Sequence, residues 1–289
     1  MQSLSLALLL TLVPAAPAQD ADVVPIPAQP TFQTTDAVAY GQQLAEYADL
    51  YGRGWKDEVT QGRMTLFDAD GDSVRRGYTR MALEGKEGGD KFITRFVAPA
   101  EIKGVAALTH ENPGSSDDNW LYLPSNKRVR RISGANNTAS FQGTEFTYED
   151  LADIDPSEYE WRFVKELDLE RDGEQLPVFQ LDAKPTYADT GYSRITLYIH
   201  RDHWRQERIE YYDKAGQHLK TRDSGAWKEF HGRFWRSQRL EMTNHQTGKR
   251  TLLEQEKDFV DLSRYKSSRT GKARPGLTEE LFTTRAIQD

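Results

Sequence analysis

The spacing of apolar and polar positions changes character near residue 55. Before it, Val38, Leu44, Tyr47 and Leu50 fall on related faces of a helix running to about Tyr51. Thr35-Asp36 supplies the side-chain oxygens that cap such a helix. After it, alternation takes over. Segments 59–67 and 74–83 flank Asp68-Ala69-Asp70-Gly71-Asp72, which reads as a hairpin turn. Further strands are expected at 91–97, 105–110, 120–123 and 128–132, then a helical turn at 148–154. The second half continues with strands at 159–169, 177–183, 194–200, 203–212, 219–230, 234–243 and 250–260. Lys214-Ala215-Gly216 and Thr247-Gly248-Lys249 sit where tight turns are needed. The pattern predicts a mainly β (α+β) fold built as one antiparallel meander. A meander this long must curl, close or be covered to bury its apolar face. Residues 263–276 are basic and turn-rich, and a terminal helical turn is expected at 279–283.

The N-terminus bears on the compartment. Residues 4–13 are apolar but too few to span a bilayer comfortably. Ala16-Pro17-Ala18 places small residues at positions −3 and −1 of a signal-peptidase site, so residues 1–18 read as a signal peptide cleaved after Ala18. The first three residues carry no Lys or Arg, a departure from the usual pattern. Residues 19–35, rich in Pro, Gln and Thr, form a flexible leader, and 36–289 a single β domain. Without cysteine the chain has no lipobox, disulfide or thiolate metal site. These features predict a periplasmic protein. A net charge of −7 argues against general nucleic-acid binding. Hydrophobic residues make up only 37%, but 13 Tyr, 12 Phe and 6 Trp supply the bulk to line a curved sheet.

Candidate sites are aromatic and basic. Trp120 and Tyr122 share one face of their strand and Leu121 and Leu123 the other, as in a strand covered on both sides. Trp161, Phe163, Leu167 and Leu169 make another row, Phe179 and Leu181 a third, and Ile195, Leu197 and Ile199 a fourth. Such rows either line a cavity or form plain core. Lys127, Arg128, Arg130 and Arg131 put cations on both faces of one strand end. These must meet acids such as Glu145, Glu149, Asp150, Asp153 and Asp155, bind an anionic headgroup or partner, or sit on a rim exposed on both sides. The Gly-, Asn- and Ser-rich stretch 134–143, interrupted by Phe141 and Phe146, is either a lid or a packed loop. Catalytic signals are weak. No G-x-S-x-G, H-E-x-x-H or phosphate-binding Gly-rich loop occurs. His200 and His203 lack a third ligand at convincing spacing, and the Asp68–Asp72 glycine falls too early for a calcium loop. Neither an enzyme nor a metal or cofactor site is expected.

NWLYLPSNKRVRRIS (119–133) followed by SFQGTEFTYEDL (140–151) resembles the signature of LolA-like outer-membrane lipoprotein-sorting proteins, in their larger, uncharacterised branch. Arg53-Gly54-Trp55 and RFWRSQRLEMTNHQTGKRTLLE (233–254) add to the likeness, which runs from about Asp36 to Phe282. It implies a strongly curved antiparallel half-barrel, with helices over the concave side and an apolar cavity for lipid or lipoprotein acyl chains. Trp120, Tyr122, Phe141, Phe146, Trp161, Phe163, Phe179 and Leu197 would line that cavity. Lys127, Arg128, Arg130 and Arg131 would contact a headgroup or a partner. Members often appear beside exporters of the resistance-nodulation-division type, which makes an inner-membrane transporter the expected partner. The expected function is a periplasmic carrier or chaperone for lipid or lipidated cargo; the alternative is a non-catalytic interaction module or transporter accessory.

Overall fold

The computed structural model describes residues 25–31, 35–85, 89–132, 134–266 and 270–288. The expected signal peptide and most of the leader lie outside them. Helix α1 (Ala37–Gly52) starts where Asp36 caps it, its Oδ1 accepting from the backbone N–H of Val38 at 2.7 Å and of Ala39 at 3.3 Å. Its buried stripe is Gly41, Leu44, Ala45 and Tyr47. Gly41 allows an unusually close approach to the sheet: a Cβ there would stand 2.6 Å from the backbone N of Phe163.

Among the described residues thirteen strands form one antiparallel, curved, open sheet. Strands β1 (Asp57–Phe67), β2 (Ser73–Leu83), β3 (Lys91–Ala98), β4 (Ala106–Asn112), β5 (Ser115–Leu123) and β6 (Arg128–Ile132) run outward to one edge. Strands β7 (Tyr159–Arg171), β8 (Glu174–Pro185), β9 (Arg194–His200), β10 (Gln206–Tyr212), β11 (His218–Phe230), β12 (Phe234–Asn244) and β13 (Arg250–Val260) return from the other edge. β13 pairs with β1 at the centre. The two edge strands, β6 and β7, are therefore consecutive in sequence, and the segment between them must cross the sheet. Twelve strand spacings on a flat sheet would span about 58 Å. This connection contains turns and short 3-10 helices rather than extended chain, so it depends on the curvature. Register shifts bend the strands, among them one at Gln61/Gly62, where a Cβ on Gly62 would meet the Glu254 carbonyl oxygen at 2.5 Å.

The expected elements are present with three informative differences. β5 begins at Ser115, because the polar run 115–119 carries no apolar alternation yet pairs with β4. The strand expected from 203 begins at Gln206, since Trp204 takes a left-handed turn (φ 52°) between β9 and β10. A register shift between Phe163 and Lys165 splits the row expected in β7: Trp161 and Phe163 face the main core, while Leu167 and Leu169 pack with Leu176, Val178 and Tyr198 on the other side.

The concave face is covered twice. Helix α1 roofs the β7–β10 half, burying Leu44 and Tyr47 with Trp161, Leu181, Leu197 and Ile209. The crossing segment covers the β1–β5 half, where Phe141 and Tyr148 pack with Met64, Tyr78, Phe96 and Leu121. On the opposite face of β3–β5, Phe282 and Ile287 from the C-terminal segment close over Ile93, Leu108 and Tyr122. Burying large side chains such as these contributes about 1.5–3 kcal/mol each.

A cavity walled by tryptophan and arginine

Between α1, the concave sheet and residues 153–158 lies a cavity of about 390 Å³. That is near the lower end for small-molecule sites. Five of the chain's six tryptophans line it: Trp55, Trp161, Trp204, Trp227 and Trp235. Trp204 is held by an edge contact to Tyr47 (4.5 Å between centroids) and by Phe179 (5.6 Å). The guanidinium of Arg205 lies over both Trp227 (4.8 Å) and Trp235 (4.6 Å). It is oriented by Glu207, a fully buried carboxylate that also accepts from Arg171 and from the Trp227 indole N–H at 2.9 Å.

The apolar cavity that the resemblance implies is not uniformly apolar. Glu58 and Arg236 form a pair at 2.6 Å in its wall. Burial works to raise the Glu58 carboxyl pKa, but Arg236, helped by Arg80 and Thr60, holds it below the ordinary range. Arg233 donates to the backbone carbonyls of Pro25, Tyr51 and Arg53, tying the N-terminal segment to the end of α1. At one end of the cavity the charge is reversed. Carboxylate oxygens of Asp90, Glu111 and Asp153 lie within 4.8 Å of one another and could hold a metal ion. Burial and the neighbouring Asp153 push Asp90 up to about 7 and raise Glu111 well above its usual range. Burial, with nearby acids, lifts Glu158 to about 7 and Asp117 to about 6.

Of the eight residues expected to line the cavity, Trp161 and Leu197 do so. Phe146 and Phe179 are buried in the adjoining core, and Phe163 packs on Tyr40 of α1. Phe141 is stacked on Phe96 beneath the crossing segment. Trp120 and Tyr122 lie on the far side of the sheet, near Phe282 and Ile287, because alternation cannot say which face will be concave. Lys127, Arg128, Arg130 and Arg131 are exposed on edge strand β6 and its turn, where Arg131 pairs with Asp118. The acids expected for them are engaged elsewhere: Glu145 accepts from Asn244, Glu149 from Tyr187 and Gly191, and Asp150 from Lys220 and Tyr192. Stretch 134–143 is packed, with Arg76 donating to the Gln142 carbonyl and Ser140 bridging to Thr147. Of the wall residues missed, Trp55, Trp235 and Arg236 sit in the two minor segments of the resemblance, 53–55 and 233–254, while Trp204 and Trp227 sit in neither.

A curved sheet with a helix across its hollow and a cavity between them is a fold of the half-barrel class. A family model described as "-like: Uncharacterized protein" matches residues 88–289. A domain from Vibrio parahaemolyticus, provisionally named an outer membrane lipoprotein-sorting protein domain, is 32% identical. That alignment covers 86% of this chain and 98% of the other, with a TM-score of 0.77. A DUF1329 family protein from Desulfovibrio piger shares the fold at 24% identity, with 88% and 100% coverage and a TM-score of 0.76. A LolA superfamily protein from Nitrosomonas europaea does so at 18% identity, with 85% and 98% coverage and a TM-score of 0.62. No curated protein sequence matches the chain. The chain belongs to the LolA-like outer-membrane lipoprotein-sorting family.

Proposed function

We propose that the protein is a periplasmic carrier that holds a lipid or the acyl part of a lipidated cargo in the cavity beneath α1. The observation that carries this reading is the convergence of five tryptophans, from five separate elements, on one cavity. Each methylene removed from water there would contribute about 0.8 kcal/mol. The modest volume favours one chain over the several of a complete lipoprotein anchor. Export by a signal peptide cleaved after Ala18, and delivery to an inner-membrane transporter of the resistance-nodulation-division type, belong to the same proposal. Because the crossing segment is pinned, access to the cavity runs past α1 and the acidic end rather than through a lid at 134–143. Among the described residues no helix is long and apolar enough to cross a membrane.

The test is native mass spectrometry of protein purified from its own periplasm, followed by organic extraction. A lipid at defined stoichiometry supports the carrier. Protein that arrives bare and also rejects added phospholipid and lipopeptide sinks it. A second reading, an interaction module or transporter accessory, is favoured by the exposed cations Lys127, Arg128 and Arg130 on the sheet edge. Capture of a transporter that survives mutation of the cavity tryptophans but not of these cations would select it.

A further inference from the structure

Resting on the carrier reading, we infer that the cavity selects amphiphiles with an oxyanion head, carboxylate or phosphate, which Arg222 receives on the cavity floor. Six arginines line the space, and they divide into two kinds. Arg53, Arg205 and Arg236 each have a carboxylate partner, at 2.8, 2.7 and 2.6 Å. Arg233 is consumed by three backbone carbonyls. Among the described residues, Arg80 and Arg222 form no ion pair. Arg80 lies over the Phe92 ring at 4.2 Å and helps to hold the charge of Glu58, which leaves Arg222. Arg222 donates from one Nη to Gln206 Oε1 at 2.6 Å, while its Nε is buried with no acceptor. A cation withdrawn from water without an acceptor is unfavourable, and an arriving oxyanion relieves that cost. Guanidinium suits carboxylate and phosphate because two N–H groups can meet two oxygens side by side.

A second buried polar atom narrows the head further. Oε1 of Gln255, on β13, also lines the cavity and also lacks a partner. It is an acceptor, so it calls for a hydroxyl or amide N–H on the same ligand. Floor strands β13 and β11 thus offer acceptor and cation, while tryptophans flank the space for the tail. Arg222 also borders a smaller cavity of about 50 Å³, edged by Tyr159, Tyr187, Tyr192 and Tyr211 and by acids that include Glu149, Asp150 and Glu158.

The experiment is titration of the delipidated mature protein, followed by intrinsic tryptophan fluorescence. The probes are laurate, dodecyl phosphate, dodecyl maltoside, dodecyltrimethylammonium and inorganic phosphate. The two anionic amphiphiles should bind about tenfold or more tighter than the neutral and cationic ones, as expected for charge-assisted hydrogen bonds. Arg222→Met should abolish the preference, so that laurate and dodecyl phosphate bind this variant no tighter than dodecyl maltoside does. Arg222→Gln, and Arg222→Lys with partial retention, serve if that variant fails to fold. Equal affinity for all heads, or a preference that survives Arg222→Met, overturns the inference and leaves the carrier standing. Inorganic phosphate competing as well as dodecyl phosphate does the same, since the site would then be one for free phosphate. Rejection of every amphiphile removes the carrier reading itself.

Discussion

Lys220 and Asp150 form a buried ion pair whose loss should loosen the cover of the sheet. Their side chains are 3% and 0% exposed, with Nζ to Oδ2 at 2.5 Å. Lys220 also donates to the Glu145 carbonyl at 3.1 Å and lies 5.3 and 5.2 Å from the Tyr192 and Tyr211 ring centres. Asp150 and Glu145 both belong to the crossing segment, so one lysine of β11 fastens that segment to the concave face. In Lys220→Met the Asp150 carboxylate keeps two donors, the Tyr192 hydroxyl and the Thr147 N–H, both at 2.6 Å. The loss should therefore fall at the low end of the range for breaking a buried pair, about 3 kcal/mol. In a domain of this size that corresponds to a fall in Tm of roughly 6–12 °C. Urea unfolding of wild type, Lys220→Met, Asp150→Asn and the double variant closes a thermodynamic cycle. The double variant should be less destabilised than the sum of the singles by at least about 1 kcal/mol. Single losses below about 1 kcal/mol that simply add would show that the pair does not hold the segment down.

Gly41→Ala should destabilise the protein by about 2 kcal/mol, because the new methyl meets β7 backbone rather than a side chain that can turn away; hydrogen exchange should localise the loss to α1, and unaltered protection there would count against the close contact. Asp90 and Glu158 hold their protons in the fold up to about pH 7, far above their unfolded values, so the folded state binds more protons through that interval. The free energy of unfolding should accordingly fall as pH rises from about 4 to 7, and Asp90→Asn should flatten part of the slope; urea midpoints across that range measure it. Lys127, Arg128 and Arg130 keep the β6 edge from pairing with other chains. Replacing the three with Thr should produce concentration-dependent dimers by light scattering, and a strictly monomeric variant would mean the edge is protected otherwise.

The β meander is legible because period-two alternation is a local signal, and the expectation that β5 is covered on both faces follows from Trp120–Leu123 alone. Leu121 does lie under the crossing segment, and Tyr122 under the C-terminal one. What alternation lacks is an absolute sign: it pairs Trp120 with Tyr122 but cannot say which side bends inward. A single register shift in β7 then exchanged faces for Leu167 and Leu169. The cavity was harder still. Its tryptophans are contributed by a loop, a turn and three distant strands, so their convergence is a property of the curvature. Likewise, the cations of β6 look like half of an internal network until β6 is known to be an edge, where both faces of a short strand can stay wet.

The pairing of β1 with β13 at the middle of the sheet has a consequence for how the molecule comes into being. The two strand sets, β2–β6 and β7–β12, can grow by successive hairpins as the chain is made. The seam that joins them requires residue 58 to meet residue 260, so it is the last long-range closure and the one with the largest loss of chain entropy. Until then each half carries an unpaired strand edge and an uncovered hollow. The newborn chain is thus exposed to aggregation for the whole of its synthesis, and only its final strand turns two open ribbons into one vessel.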